Sequence, residues 1–98
     1  MKDELPIATK IYLRAAELVE QGHCKGEAWK RDGHKCQYDQ ANQFCFHGAL
    51  KKASEELGVK GFSYAGPENN RWPMALWNDS LDTTAAMVAA KLREQAFA

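Results

Sequence analysis

Six side chains able to hold a metal or attack an electrophile fall between positions 23 and 47: His23, Cys24, His34, Cys36, Cys45 and His47. Thiolates and imidazoles of this kind bind zinc tetrahedrally, usually from closely spaced pairs. The spacing here is poor. No Cys-x-x-Cys pair occurs, and Cys45 and His47 stand two apart in a helical pattern, roughly 200° around the axis, where they do not share one ion. Cys24, His34 and Cys36 with a fourth ligand remain as a zinc-supported alternative, against the expectation of no cofactor and no metal.

Cys45 also raises the question of a nucleophile, because a helix N-terminus lowers a thiol's pKa. With Gln40 before it, the segment has a superficial likeness to papain-like hydrolases, whose base histidine lies well downstream. The last histidine here is His47, on the wrong face of the same helix, so no catalytic set is expected. A cysteine in an apolar helical row is read as a small core residue.

A third group is Trp77-Asn78-Asp79. Asparagine and aspartate beside an aromatic form turns by bonding local backbone, with the ring packed inward. The functional alternative is a small-ligand or nucleotide pocket at Trp72, Trp77, Asn78 and Asp79. The fourth group is Lys25, Lys30, Arg31 and Lys35 around Trp29, which could grip a phosphate backbone and stack a base. Glu27 and Asp32 interrupt it, so a solvated loop face is the simpler reading.

The elements that position these groups follow from periodicity. A helix is expected from about Pro6 to Gln21, with Ile7, Ile11, Ala15 and Leu18 on one stripe, Pro6 in the first turn and Gly22 as a left-handed stop. Positions 23–40 lose the pattern and read as a loop, with a short hairpin turning at Asp32-Gly33 and with Trp29 and Tyr38 as anchors. A second helix is expected from about Ala41 to Leu57. Its row is Phe46, Leu50, Ala53 and Leu57, Cys45 and Ala49 lie beside it, Gly58 stops it, and Gly48 permits a close backbone crossing. Positions 59–82 carry many breakers and read as an aromatic, ordered loop. The last helix starts near Thr84 and buries Ala85, Val88, Ala89, Leu92 and Ala96.

Composition sets the outer bounds. The 98 residues carry 13 basic and 13 acidic side chains, are 45% hydrophobic and hold three cysteines. One globular domain over 1–98 is expected, of a mainly α class: a compact three-helix domain with long ordered loops and room for one short β-hairpin. Zero net charge disfavours nucleic acid as a partner, although the stretch 22–36 holds four basic residues against two acidic. No apolar run approaches the ~20 residues that span a bilayer, no export signal opens the chain, and an odd cysteine count suits reduced thiols, so a cytoplasmic location is expected.

Two segments together resemble a known family. Phe44-Cys45-Phe46-His47-Gly48-Ala49-Leu50, followed by a helix, is similar to the Cys-x-x-Gly-Ala-Leu core of a small bacterial domain family of unknown function, found in actinobacteria and their phages among others. Leu76-Trp77-Asn78-Asp79 and a Thr-headed helix from Thr84 resemble its second signature. Met87 departs from it, since the family often places an acidic residue there. The resemblance covers most of the chain and implies an accessory role in phages or mobile elements, with no catalytic residues to carry over.

The functional expectation is a non-enzymatic protein-interaction module, such as an accessory protein or an inhibitor of a host system. Its expected contact residues are Trp29, Tyr64 and Trp72, with Lys30 and Arg31, because aromatics dominate interfaces. A protein partner is expected, and a homodimer fits if the aromatic loops are not all self-buried.

Overall fold

The computed structural model describes residues 5–60, 62 and 71–98, with positions 71–73 described by backbone alone. The elements are α1 (Ile7–Gln21), β1 (Trp29–Lys30), a short 3-10 turn (Tyr38–Gln40), β2 (Gln43–Phe44), α2 (Phe46–Glu56), α3 (Arg71–Asp79) and α4 (Ala85–Ala96). The mainly helical class and the small antiparallel pair agree with the sequence. A fourth helix was not expected.

The core lies between α1, α2 and α4. Ile11, Val19, Phe46, Leu50, Val88 and Leu92 are its largest fully buried apolar side chains. On α1 the buried positions Ile11, Tyr12, Ala15, Ala16, Leu18 and Val19 follow the helical period. Ile7 departs from the expected stripe and faces solvent, 48% exposed. Alanines at 15, 16, 49, 53 and 89 are fully buried, and such small side chains let helix backbones approach closely. Polar bonds tie the same elements at their rims. Thr9 Oγ1 donates to the Ala96 carbonyl at 2.8 Å, Arg14 pairs with Glu56 at 2.7 Å, and Arg93 pairs with Glu20 at 2.7 Å.

Between α1 and α2 the chain wraps around Phe44. On one edge the Phe44 N–H donates to the Gly22 carbonyl at 2.9 Å and the Phe44 carbonyl accepts from Cys24 at 3.2 Å, a parallel bridge pairing His23 with Phe44. On the other edge Trp29 pairs with Phe44 and Lys30 with Gln43, antiparallel. Asp32 and Gly33 take positive φ, 49° and 84°, and Arg31 and His34 exchange bonds of 2.8 and 2.9 Å. That is the hairpin tip expected from Asp-Gly. Asn42 and Gln43 hold it from outside, the Asn42 side chain bonding Asp32 at both ends and Gln43 Oε1 accepting from Gly33.

This pairing corrects the second helix. It was expected from Ala41 but begins at Phe46, because Gln43 and Phe44 are claimed by cross-strand bonds and Cys45, extended at φ −84° and ψ −178°, is the N-cap. Gly22 also acts differently from expectation. Its φ is −171°, ordinary extended backbone, and its value is space: a Cβ there would sit 2.2 Å from the Asn42 carbonyl oxygen. Gly58 does end α2 with positive φ, 78°.

The segment expected as loop holds α3. Pro73 is its third residue, a place in the first turn where the missing N–H costs no intrahelical bond. Met74 and Asn78, one turn apart, form its buried side. Thr84 caps α4, its Oγ1 accepting from Met87 N–H at 3.2 Å, as the sequence indicated. No helix among the described residues is long and apolar enough to cross a membrane.

Candidate functional site

The chemistry-bearing residues converge where the loop 22–28, the start of α2 and the end of α3 meet. Asn78 is the centre, 1% exposed. Its Oδ1 accepts the Phe46 backbone N–H at 3.0 Å and lies 2.8 Å from His23 Nε2. Its Nδ2 donates to the Cys24 carbonyl at 3.1 Å and to Asp79 Oδ1 at 3.0 Å. An asparagine side chain offers two donors and two acceptor lone pairs, and all four are used. With Nε2 facing an acceptor that cannot donate, the neutral His23 ring carries its proton on Nε2.

Asp79 extends the clip outward by accepting from the Gly26 N–H at 2.9 Å. Beside it, Lys25 Nζ donates to the Ser80 carbonyl. The Trp-Asn-Asp sequence thus fastens three chain segments together. It does so on the last turn of a helix rather than in the turn expected from the residue types.

Cys45 and Gly48 belong to the same junction. Cys45 Sγ accepts from the Gly48 N–H at 3.3 Å, satisfying one of the four unpaired donors at the start of α2. Its own N–H donates to the Ala28 carbonyl at 3.0 Å. A Cβ on Gly48 would lie 1.9 Å from that same carbonyl oxygen. The Cys-x-x-Gly spacing therefore places a cap and a backbone crossing one turn apart. The sequence indicated a close crossing at Gly48, and its partner is the Ala28 backbone.

Burial shapes the thiols. Cys24, 6% exposed and donating to the Glu27 carbonyl at 3.3 Å, is pushed up to about 12 by desolvation, with a further contribution from neighbouring Cys45. Burial also pushes the Cys45 thiol up, against hydrogen bonds from the α2 backbone that favour the thiolate. Both thiols are protonated near neutrality, the opposite of an activated nucleophile. Among the described residues no three of His, Cys, Asp and Glu come together in a way that could hold a metal.

Of the expected interaction residues, Trp29 and Lys30 form β1 and Arg31 follows it. Trp29 is half-buried and edge-on to Tyr38, with ring centroids 4.7 Å apart, and both pack on the core, the anchoring foreseen for them. Lys51 and Lys52 stand over the Tyr38 ring at 5.0 and 5.6 Å. Lys30 is half-buried on β1, and Arg31 donates to the Gln40 carbonyl at 2.8 Å. Tyr64 lies outside the described residues, as does the side chain of Trp72. Lys35 pairs with Glu27 at 3.9 Å, which further breaks up the basic stretch.

Sequence reasoning passed over one surface feature. Leu76 on α3, Leu81 in the following turn and Met87 on α4 are 65%, 97% and 42% exposed. The turn carrying Leu81 is closed by Ser80 N–H to Trp77 carbonyl and Thr83 N–H to Ser80 carbonyl, both 3.1 Å. The available signal was a leucine between Ser80 and Asp82, outside any apolar period. Comparison of the chain with family models, with curated proteins and with solved structures returned no match.

Proposed function

We propose that this chain is a non-enzymatic module that binds a protein partner, and that the corner from Leu76 to Met87 contributes the apolar part of the contact. The observation that carries this reading is Leu81, a leucine 97% exposed on a turn closed by backbone hydrogen bonds. Exposed apolar side chains on rigid backbone give up little entropy on binding and fill pockets on a partner. A second support is the use of Asn78, Asp79 and Cys45 in the fold itself, which leaves their polar groups engaged within the chain. The resemblance to a phage-associated family favours an accessory role, such as inhibition of a host system, in the cytoplasm.

The test is capture with the purified chain, followed by titration of the recovered partner against the wild type and against Leu81→Asp, Leu76→Asp and Trp29→Ala. A tenfold or greater weakening by Leu81→Asp, with an unchanged melting temperature, supports the corner as the contact. Binding undiminished by both aspartate variants assigns the contact elsewhere. If no titratable partner emerges and a metabolite or nucleotide panel raises the melting temperature, the chain is a small-ligand binder instead.

A further inference from the structure

We propose that Cys24 and Cys45 are a redox pair, joined as a disulfide when the chain meets a small-molecule disulfide such as oxidised glutathione. The geometry comes from backbone pairing. His23 and Phe44 are partners in a parallel bridge, closed by Phe44 N–H to Gly22 carbonyl at 2.9 Å and Cys24 N–H to Phe44 carbonyl at 3.2 Å. Cys24 and Cys45 each stand one residue beyond this isolated bridge, where Asn78 bonds both the Cys24 carbonyl and the Phe46 N–H in place of a further rung. Paired segments run about 4.8 Å apart. Disulfides span Cα separations of roughly 4.4–6.8 Å. Cys45 is near enough to add to the upward push on the Cys24 thiol.

In the reduced state each sulfur has another partner. Cys24 donates to the Glu27 carbonyl and Cys45 accepts from the Gly48 N–H. Bridging requires both side chains to turn toward each other, releasing those two weak bonds while the backbone pairing stays. Cys45 is the more accessible and meets the oxidant first. Its thiolate attacks one sulfur of oxidised glutathione and expels a glutathione thiolate. The Cys24 thiolate then attacks the Cys45 sulfur of the mixed disulfide and expels the second. Two protein S–H bonds are lost and one S–S bond forms. Two electrons and the two protons end on two glutathione molecules.

The bond closes the loop that contains the hairpin and staples the segment gripped by Asn78 to the N-terminus of α2. Because burial keeps both thiols protonated, the exchange is slow near neutral pH and accelerates as pH rises. The pair is therefore quiet against brief exposure and responds to a sustained oxidising environment. Cys36, half-buried, serves as an internal reference.

The experiment treats the folded wild-type chain and the Cys36→Ser variant with oxidised glutathione at pH 8.5 and reads intact mass, peptide maps and melting temperature. The expected product from Cys36→Ser has lost two hydrogens, contains a Cys24–Cys45 linked peptide, and melts on the order of 10 °C higher, reversibly with dithiothreitol. The wild type gives the same bridge with at most one glutathione, on Cys36. A stable glutathione adduct on Cys45, unreacted thiols, an intermolecular dimer, or a bridge involving Cys36 overturns the proposal.

Discussion

Asn78 Oδ1 accepts the backbone N–H of Phe46 at 3.0 Å, so one side chain from the end of α3 satisfies an unpaired donor at the start of α2. The same carboxamide holds the Cys24 carbonyl at 3.1 Å. Helix starts are usually capped from within their own segment. Here the cap is divided between Cys45, one residue before the helix, and Asn78, 32 residues beyond Phe46 in the chain. Formation of the start of α2 is thereby coupled to docking of α3.

Replacing Asn78 tests that coupling. Asn78→Ala removes the acceptor of the Phe46 N–H and the donor to the Cys24 carbonyl, at ~1–3 kcal/mol for each buried bond lost. A loss of about 3 kcal/mol in urea unfolding is expected. Asn78→Asp keeps the acceptor but sets a carboxylate against Asp79 and the Cys24 carbonyl, so it too is destabilising. A loss under 1 kcal/mol in both variants shows that the clip contributes little.

Gly48→Ala reverses an ordinary sign. In a helix interior this change is worth ~1 kcal/mol in favour of alanine. At Gly48 the new methyl would sit 1.9 Å from the Ala28 carbonyl oxygen, and backbone cannot yield as a side chain can. Destabilisation of about 1–3 kcal/mol is expected, by analogy with overpacked cores. Thermal melting of the variant decides it, and an increase in melting temperature contradicts the close crossing.

The Cys24 thiol predicts the alkaline limb of stability. Its folded-state pKa, about 12, lies above the unfolded value of about 9. For a raised pKa the contribution is complete below the unfolded value and is lost as pH rises toward the folded one. Stability therefore falls between about pH 9 and pH 12, as the unfolded chain releases a proton the folded chain retains. Cys24→Ala should flatten this limb, read from urea midpoints across the range. Equal slopes in the two proteins would remove Cys24 as the cause.

Thr84 gives a calibrated control away from the junction. Its Oγ1 accepts from the Met87 N–H at 3.2 Å at the start of α4. Thr84→Ala should cost about 1 kcal/mol, while Thr84→Asp restores most of it, since aspartate caps as well and suits the helix dipole. Chemical denaturation of the three proteins checks the order.

The period-3.6 stripes of Ile11 to Val19 and Val88 to Ala96 made α1 and α4 legible, and Thr84 marked the cap of α4, whereas Pro6, expected inside the first turn, stands one residue before α1 and makes no side-chain cap bond. Asp32-Gly33 made its hairpin legible because few residue pairs accept positive φ together. The start of α2 was not legible. Ala41 to Cys45 fit a helical pattern locally, and only cross-strand bonds to Gly22, Cys24, Ala28 and Lys30 hold Asn42 to Cys45 extended. Nor was α3, whose nine residues offer too short a period beside Pro73.

The candidate site divides in the same way. In the sequence, Cys45 reads as a small core residue, Gly48 as a close backbone crossing and Trp77-Asn78-Asp79 as a turn with the ring packed inward, because small residues and short amides suit close crossings and backbone bonds. Which backbone each one meets was decided by tertiary structure: Ala28 for Gly48, Phe46 and Cys24 for Asn78, Gly26 for Asp79. The physical reason is range. Periodicity and turn chemistry act within a few residues, whereas these contacts join positions 20 to 54 apart, and only the packed chain brings them within hydrogen-bonding distance.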